Sequence, residues 1–151
     1  QTLMIFSKKT VEIKWPNDLL IGGKKTAGIL IENQWSGSSW SAAIAGIGIN
    51  VNQQIFEVDR ATSIASETHE VLSVEAVLSE LQGQLSNFYN RLCNGEYTAI
   101  DQAYHEHLFG RDMLNSYATK DGEIMARVVR ILEDGKVELL SEKGETSSFD
   151  L

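Results

Sequence analysis

Two short segments bring together an amide, a carboxylate and a cation: Lys14-Trp15-Pro16-Asn17-Asp18, and Gly22-Gly23-Lys24-Lys25-Thr26-Ala27-Gly28 soon after it. Asn17 and Asp18 supply the amide and the carboxylate, and Lys25 supplies the cation. Such a set suits an anionic ligand that also carries hydrogen-bonding edges, such as a nucleotide. Pro16 is the only proline in 151 residues. Its fixed φ and missing N–H belong at a strand start or an edge, not inside a helix.

The elements that must position these groups can be read from the same residues. Residues 18–21 and 25–31 read as strands, and Gly22-Gly23 is a two-residue hairpin turn in which glycine accepts positive φ. With those two glycines as the loop, Ile21 opposes Lys24 and Leu20 opposes Lys25. Alternation then puts Asp18, Leu20 and Lys25 on one face, with Asp18 and Lys25 diagonal neighbours roughly 6–8 Å apart at Cβ. Taken alone, the same pair is equally an ordinary solvated charge pair on a surface hairpin.

A second segment tilts the balance toward a ligand. From Gly46 onward the odd positions are Ile47, Ile49 and Val51, a core face, and the even positions are Gly46, Gly48, Asn50 and Asn52. Two glycines on one face of a strand mean that something approaches the backbone closely. Tight packing of a helix is one explanation; a ligand is the sharper one, with Asn50 at the end of the glycine face. The Gly-x-Gly here is not a dinucleotide fingerprint, because the third glycine and the opening helix are missing.

Lys14-Trp15-Pro16-Asn17-Asp18, then residues 25–32 (Lys-Thr-Ala-Gly-Ile-Leu-Ile-Glu), then residues 46–52 (Gly-Ile-Gly-Ile-Asn-Val-Asn) resemble the biotin protein ligase family in order and spacing. Ala61-Thr62-Ser63-Ile64 is similar to a short element that the family places after the glycine strand. The resemblance covers nearly the whole chain. It implies an α+β fold: a class II synthetase-like mixed sheet with covering helices over residues 1–110, followed by a small SH3-like β-barrel over residues 111–151.

The resemblance also implies a reaction. Biotin is activated by ATP, with Mg2+, to biotinyl-5′-AMP, and the biotinyl group passes to a lysine of the biotin carboxyl carrier protein of acetyl-CoA carboxylase. Lys25 matches the family's ligand-contacting lysine and is the expected catalytic residue. Gly28 and Gly46 are expected with Lys25 around biotin and the adenylate, Asn17 and Asn50 at adenine, and Asp18 and Lys14 in the phosphate and magnesium neighbourhood. No metal ligand is assigned. The alternatives are a lipoate–protein ligase-like adenylating enzyme and an inactive nucleotide- or biotin-binding fragment.

Nothing in the chain resembles the family's arginine- and glycine-rich loop over biotin and phosphate. The chain is therefore expected to be the later half of the catalytic domain with most of the C-terminal domain, and to have little ligase activity alone. Residues 2–7, apolar and terminal, are expected as a first strand available for pairing, with the exposed sheet covered either by the missing half as a separate segment or by a second copy in a homodimer.

Composition sets outer bounds. A formal net charge of −8 argues against nucleic-acid binding by these residues. No apolar run reaches the roughly 18 residues of a membrane helix. Cys93 stands alone, which fits a reducing, cytoplasmic compartment and a filler role. Ser73 reads as the N-cap of a helix carrying Val74, Val77, Leu78, Leu81, Leu85, Phe88 and Leu92 and stopping at Asn94-Gly95. A second helix carries Tyr97, Ile100, Tyr104 and Leu108 and ends at Gly110. Both stripes are expected to cover sheets. His105 and His107, two apart, point to different helix faces and do not form a metal pair. His69 is isolated. Asp121-Gly122, Asp134-Gly135 and Lys143-Gly144 divide the rest into four strands at 114–119, 123–132, 136–141 and 145–151.

Overall fold

The computed structural model describes residues 1–120 and 122–150; Asp121, half of the first expected Asp-Gly turn, and Leu151, the end of the last expected strand, lie outside the described residues. The chain divides into two compact units, residues 1–12 with 17–96, and residues 13–16 with 97–151.

The first unit opens with a helix, α1 (Thr2–Ser7), where a strand was expected. Residues 2–6 have no polar alternation, and a short apolar run does not by itself separate helix from strand. Docking decides it: Thr2, Leu3 and Ser7 are buried, and Lys8 ends the helix in the left-handed region at φ 53° with its N–H bonded to Met4 O. This segment therefore offers no edge for pairing.

The sheet is ordered β1 (Val11–Lys14), β2 (Asp18–Ile21), β3 (Lys24–Ser36), β4 (Ser39–Ile49). The β2–β3 and β3–β4 pairs are antiparallel, so these pairs do not make the mixed sheet that was expected. The Gly22-Gly23 turn carries φ 58° and 76°, and Ile21 opposes Lys24 and Leu20 opposes Lys25 as the hairpin reading required. Trp15–Pro16 is a cis peptide, and Pro16 sits in the turn before β2.

Helices α2 (Ile64–Thr68) and α3 (Val74–Cys93) complete the unit. The core joins Leu3, Val11, Ile21, Ala27, Ile64 and Val77, with Ile49 and Val51 packed against it. Ser73 caps α3 by accepting from Ala76 N, and the helix ends at Asn94. The stripe of α3 covers less than its pattern implied: only Val77 is buried, and Leu78, Leu85 and Leu92 are exposed. Cys93 is also exposed, so it fills no core.

The second unit holds α4 (Tyr97–Glu106) and four antiparallel strands in sequence order, β5 (Asn115–Thr119), β6 (Gly122–Ile131), β7 (Val137–Ser141) and β8 (Thr146–Phe149). The sheet is open among the described residues, with β5 and β8 as its edges, rather than a closed barrel. Its core is Leu108, Ala126, Val128, Val137 and Leu139. The second helix stops before the expected Gly110 because Ile13 captures the chain: Ile13 N donates to His107 O at 2.7 Å and Phe109 N donates to Ile13 O at 2.9 Å. Leu108 thereby leaves the helix for a parallel bridge with Ile13. His105 is a structural pin: Ile131 N donates to its Nε2 at 3.1 Å, so its Nδ1 is the donor to Asp101 O at 2.9 Å. No helix among the described residues is long and apolar enough to cross a membrane.

Candidate functional site

The hairpin reading left Asp18 and Lys25 diagonal. The structure joins their side chains beside a β-bulge: the register steps from Leu20↔Lys25 to Leu19↔Ala27, leaving Thr26 as the extra residue on β3. A bulge bends its strand and re-aims a side chain. Past it, Asp18 opposes Gly28, and Gly28 opposes Gly48 on β4. Directly opposed residues share a face, so a carboxylate and two glycines form a row across three strands, with Leu30 and Gly46 as the next pair along.

Lys25 reaches across this row. Its Nζ lies 2.6 Å from Asp18 Oδ1. A Cβ built on Gly28 would sit 3.5 Å from Lys25 Cε and 3.6 Å from its Nζ. The contact with Asp18 is an ion pair rather than an aligned hydrogen bond: Oδ1 is buried and receives no hydrogen bond of acceptable angle. Half of the lysine side chain is exposed, at 49%, against 23% for the aspartate. The ammonium is therefore held from below and open above. A Cβ on Gly48 would meet nothing within 4 Å, and one on Gly46 only Leu30 O at 3.8 Å. Among the described residues, then, the space over Gly46 and Gly48 is open.

The backbone of Lys25, beside the bulge, is satisfied from residues 60–62. Lys25 N donates to Arg60 O at 2.8 Å, and Thr62 N donates to Lys25 O at 2.9 Å, making a parallel bridge between Lys25 and Ala61. Asn50 ties the same region down. Its N–H donates to Thr26 O at 2.9 Å, its carbonyl accepts from Ile64 N at 3.0 Å, and its Nδ2 donates to Thr62 O at 3.0 Å. β4 ends at Ile49, so Asn50 stands past the strand rather than on its glycine face. Asn52 is spent locally: Nδ2 donates to Leu72 O at 2.8 Å and Oδ1 accepts from Leu72 N at 2.9 Å.

Asn17 is exposed, and its carbonyl accepts from Ile29 N at 2.9 Å. Lys14 belongs to the second unit. There it lines a cavity of about 700 Å³ with Trp15, Tyr117, Lys136 and Phe149, and Trp15 Nε1 donates to Gly135 O at 3.0 Å.

Sequence reasoning missed one polar network in the first unit. Glu67 on α2 accepts from Thr62 Oγ1 through Oε1 at 3.0 Å and from Lys9 Nζ through Oε2 at 2.8 Å. The Lys9 hydrogen bond, ahead of the opposing effect of burial and the further bond from Thr62, holds the Glu67 carboxyl below its ordinary range. Ser63 caps α2 by accepting from Ser66 N at 3.0 Å. The available signal was a Thr-Ser cap followed by an acid in the first turn. No cluster of three potential metal-ligating side chains occurs among the described residues.

Residues 2–50 match the biotin/lipoate A/B protein ligase family. A bifunctional ligase/repressor BirA from Bacillus spizizenii is 31% identical over 138 residues, which is 88% of this chain and 42% of that protein. A biotin–[acetyl-CoA-carboxylase] ligase from Paracoccus denitrificans is 54% identical over 39 residues, 26% of this chain and 16% of that protein. The solved biotin protein ligase of Aquifex aeolicus superposes with a TM-score of 0.77 at 25% identity, over 97% of this chain and 64% of that one. Its structure with biotin and ATP shares the fold, with a TM-score of 0.75 at 23% identity, over 98% of this chain and 62% of that one. The chain thus spans less than half the length of the curated relative that it matches over most of its own.

Proposed function

We propose that the chain belongs to the biotin protein ligase family and serves ATP-dependent activation of biotin and transfer of the biotinyl group to a protein lysine. The observation that carries this reading is the Lys25 ammonium, held 2.6 Å from Asp18 above a row of glycines and open on its far side. In the first step a biotin carboxylate oxygen attacks the α-phosphorus of ATP and pyrophosphate leaves. Charge gathers between the carboxylate and the α-phosphate, where a preorganised ammonium is most effective. In the second step the amine of a carrier lysine attacks the acyl carbon of the mixed anhydride, AMP leaves, and the amine loses its proton.

Gly28 and Gly46 keep side chains away from the adenylate. Asn17 and Asn50 are the candidates for adenine's edge; Asn50 does so with its Oδ1, because Nδ2 is engaged by Thr62. Asp18 positions Lys25. Magnesium enters with ATP as part of the substrate, and it tolerates a single carboxylate plus water and phosphate oxygens, a role open to the Asp18 carboxylate. The carrier is the biotin carboxyl carrier protein of acetyl-CoA carboxylase, and the compartment is the cytoplasm. Residues 1–110 belong to the catalytic domain and residues 111–151 to an SH3-like domain, whose four-stranded sheet supports that reading. A homodimer is part of the proposal, supported by Leu30, Ile31, Trp35, Trp40 and Ile44, all exposed on the β3–β4 arm.

The test is biotin-dependent pyrophosphate release by the intact protein with ATP and magnesium, followed by mass gain on an apo carrier protein. Because the matching family covers lipoate ligases as well, calorimetric titration with biotin and with lipoate in the presence of ATP decides the acid. Tighter binding of lipoate would replace the biotin reading with the lipoate one.

A further inference from the structure

Lys25 opposes Leu20 and shares a face with Asp18; just past it the extra residue of the bulge, Thr26, turns Gly28 to oppose Asp18, and the N–H and C=O of Lys25 itself find their partners away from β2. Those groups are taken up by residues 60–62, through Lys25 N to Arg60 O and Thr62 N to Lys25 O. The register of that short segment therefore sets where the Lys25 Cα sits. Two side chains hold the segment. Asn50 Nδ2 fixes the Thr62 carbonyl. On the other side Thr62 Oγ1, in a residue only 3% exposed, donates to Glu67 Oε1. Glu67 is itself anchored at both ends. Its backbone N donates to Ser63 O, and its second carboxylate oxygen is bound by Lys9, which stands just past α1. A Cβ on Gly22 would lie 3.9 Å from that oxygen, so the hairpin turn passes close by without a side chain in the way.

We propose that Glu67 is a positioning residue for Lys25: through Thr62 it fixes residues 60–62 against the β3 bulge and so aims the ammonium over Gly28. The inference rests on the ligase reading for its kinetic consequence but not for its structural one. Small misplacements of a reacting group cost large factors in rate, so the effect belongs in the rate of adenylate formation and not in substrate affinity.

Three variants of the intact protein test it, each assayed below its own melting temperature. Glu67→Gln keeps an acceptor for Thr62 and loses only the charge facing Lys9. Glu67→Ala and Thr62→Val remove the hydrogen bond. Glu67→Ala and Thr62→Val are expected to lower kcat for pyrophosphate release by about tenfold or more, with KM for biotin and ATP within about twofold of the parent. Glu67→Gln is expected to retain most of the parent kcat. Amide hydrogen exchange is read in parallel: in the two bond-deleting variants the Lys25 and Thr62 amides are expected to exchange about tenfold faster, with α3 unchanged. An unaltered kcat and exchange in Glu67→Ala, a rise in KM at constant kcat, or equal losses in Glu67→Gln and Glu67→Ala would each overturn the proposal. A parent protein that releases no pyrophosphate defeats the ligase reading instead, and the exchange measurement then decides the positioning role by itself.

Discussion

The Lys25 charge is paired at 2.6 Å while half of its side chain faces solvent. An exposed pair of this kind contributes little to stability, so its value is geometric. Lys25→Ala is expected to slow adenylate formation by roughly 100-fold, as removal of a preorganised electrostatic group does. Near-normal biotin-dependent pyrophosphate release would remove Lys25 from the catalytic role. Asn50 carries two duties that one substitution separates by its readouts. Asn50→Ala deletes the bond to Thr62 O and is expected to cost about 1 kcal/mol of stability in urea unfolding. It is also expected to raise KM for ATP more than KM for biotin, whereas the reverse order would move Asn50 to the biotin pocket.

At the scale of the elements, the network through α2 has a pH signature. The Glu67 carboxyl is held below its ordinary range chiefly by Lys9. A depressed folded-state pKa means that the ionised form is favoured in the native protein, so this contribution is complete above the unfolded value of 4.5 and is lost as pH falls through the folded value. Lys9→Ala is expected to flatten the acid side of the stability profile between pH 5 and pH 3, roughly the window of that loss, measured as the urea midpoint against pH. A profile parallel to the parent's would place the acid sensitivity elsewhere. In the second unit Gly110 joins α4 to the sheet at φ 80°, and a Cβ there would collide with Tyr117 Oη. Strain in φ and a rigid ring that cannot yield combine. Gly110→Ala is expected to destabilise this unit by about 2 kcal/mol, read from the near-ultraviolet signal of Trp15 and Tyr117 during unfolding.

For the molecule as a whole, the proposed homodimer rests on the β3–β4 arm. Trp35 and Trp40 face each other across the ladder and are 65% and 57% exposed, and β4 is an edge strand with no charged residue along Ser39–Ile49. Unblunted edges of this kind pair with other chains. Sedimentation of the intact protein is expected to show a concentration-dependent dimer, weakened when Trp35 and Trp40 are both replaced by serine. A monomer at all concentrations would remove the homodimer from the proposal.

Much of this was legible in the residues because local rules governed it. Gly22-Gly23 can hardly do anything but turn the chain, so the first two pairs of the β2–β3 register followed from counting. The capping of α3 by Ser73 and the strands of the second unit obey equally short-range constraints, and the family motifs lie within single stretches of chain. What sequence did not contain was the outcome of competition between distant groups. Residues 2–7 became a helix because Leu3 found a core with Ile64 and Val77. Leu108 left its helix because Ile13 offered a strand partner. Gly28, not Ala27, came to face Asp18 because a bulge at Thr26 formed where residues 60–62 and Asn50 take up the neighbouring backbone groups. Asn50 was drawn past its strand by Thr26 and Ile64. In the last three cases a backbone N–H or C=O took a partner distant in sequence. Burial, which only the folded chain supplies, raised the cost of leaving the distant one unsatisfied.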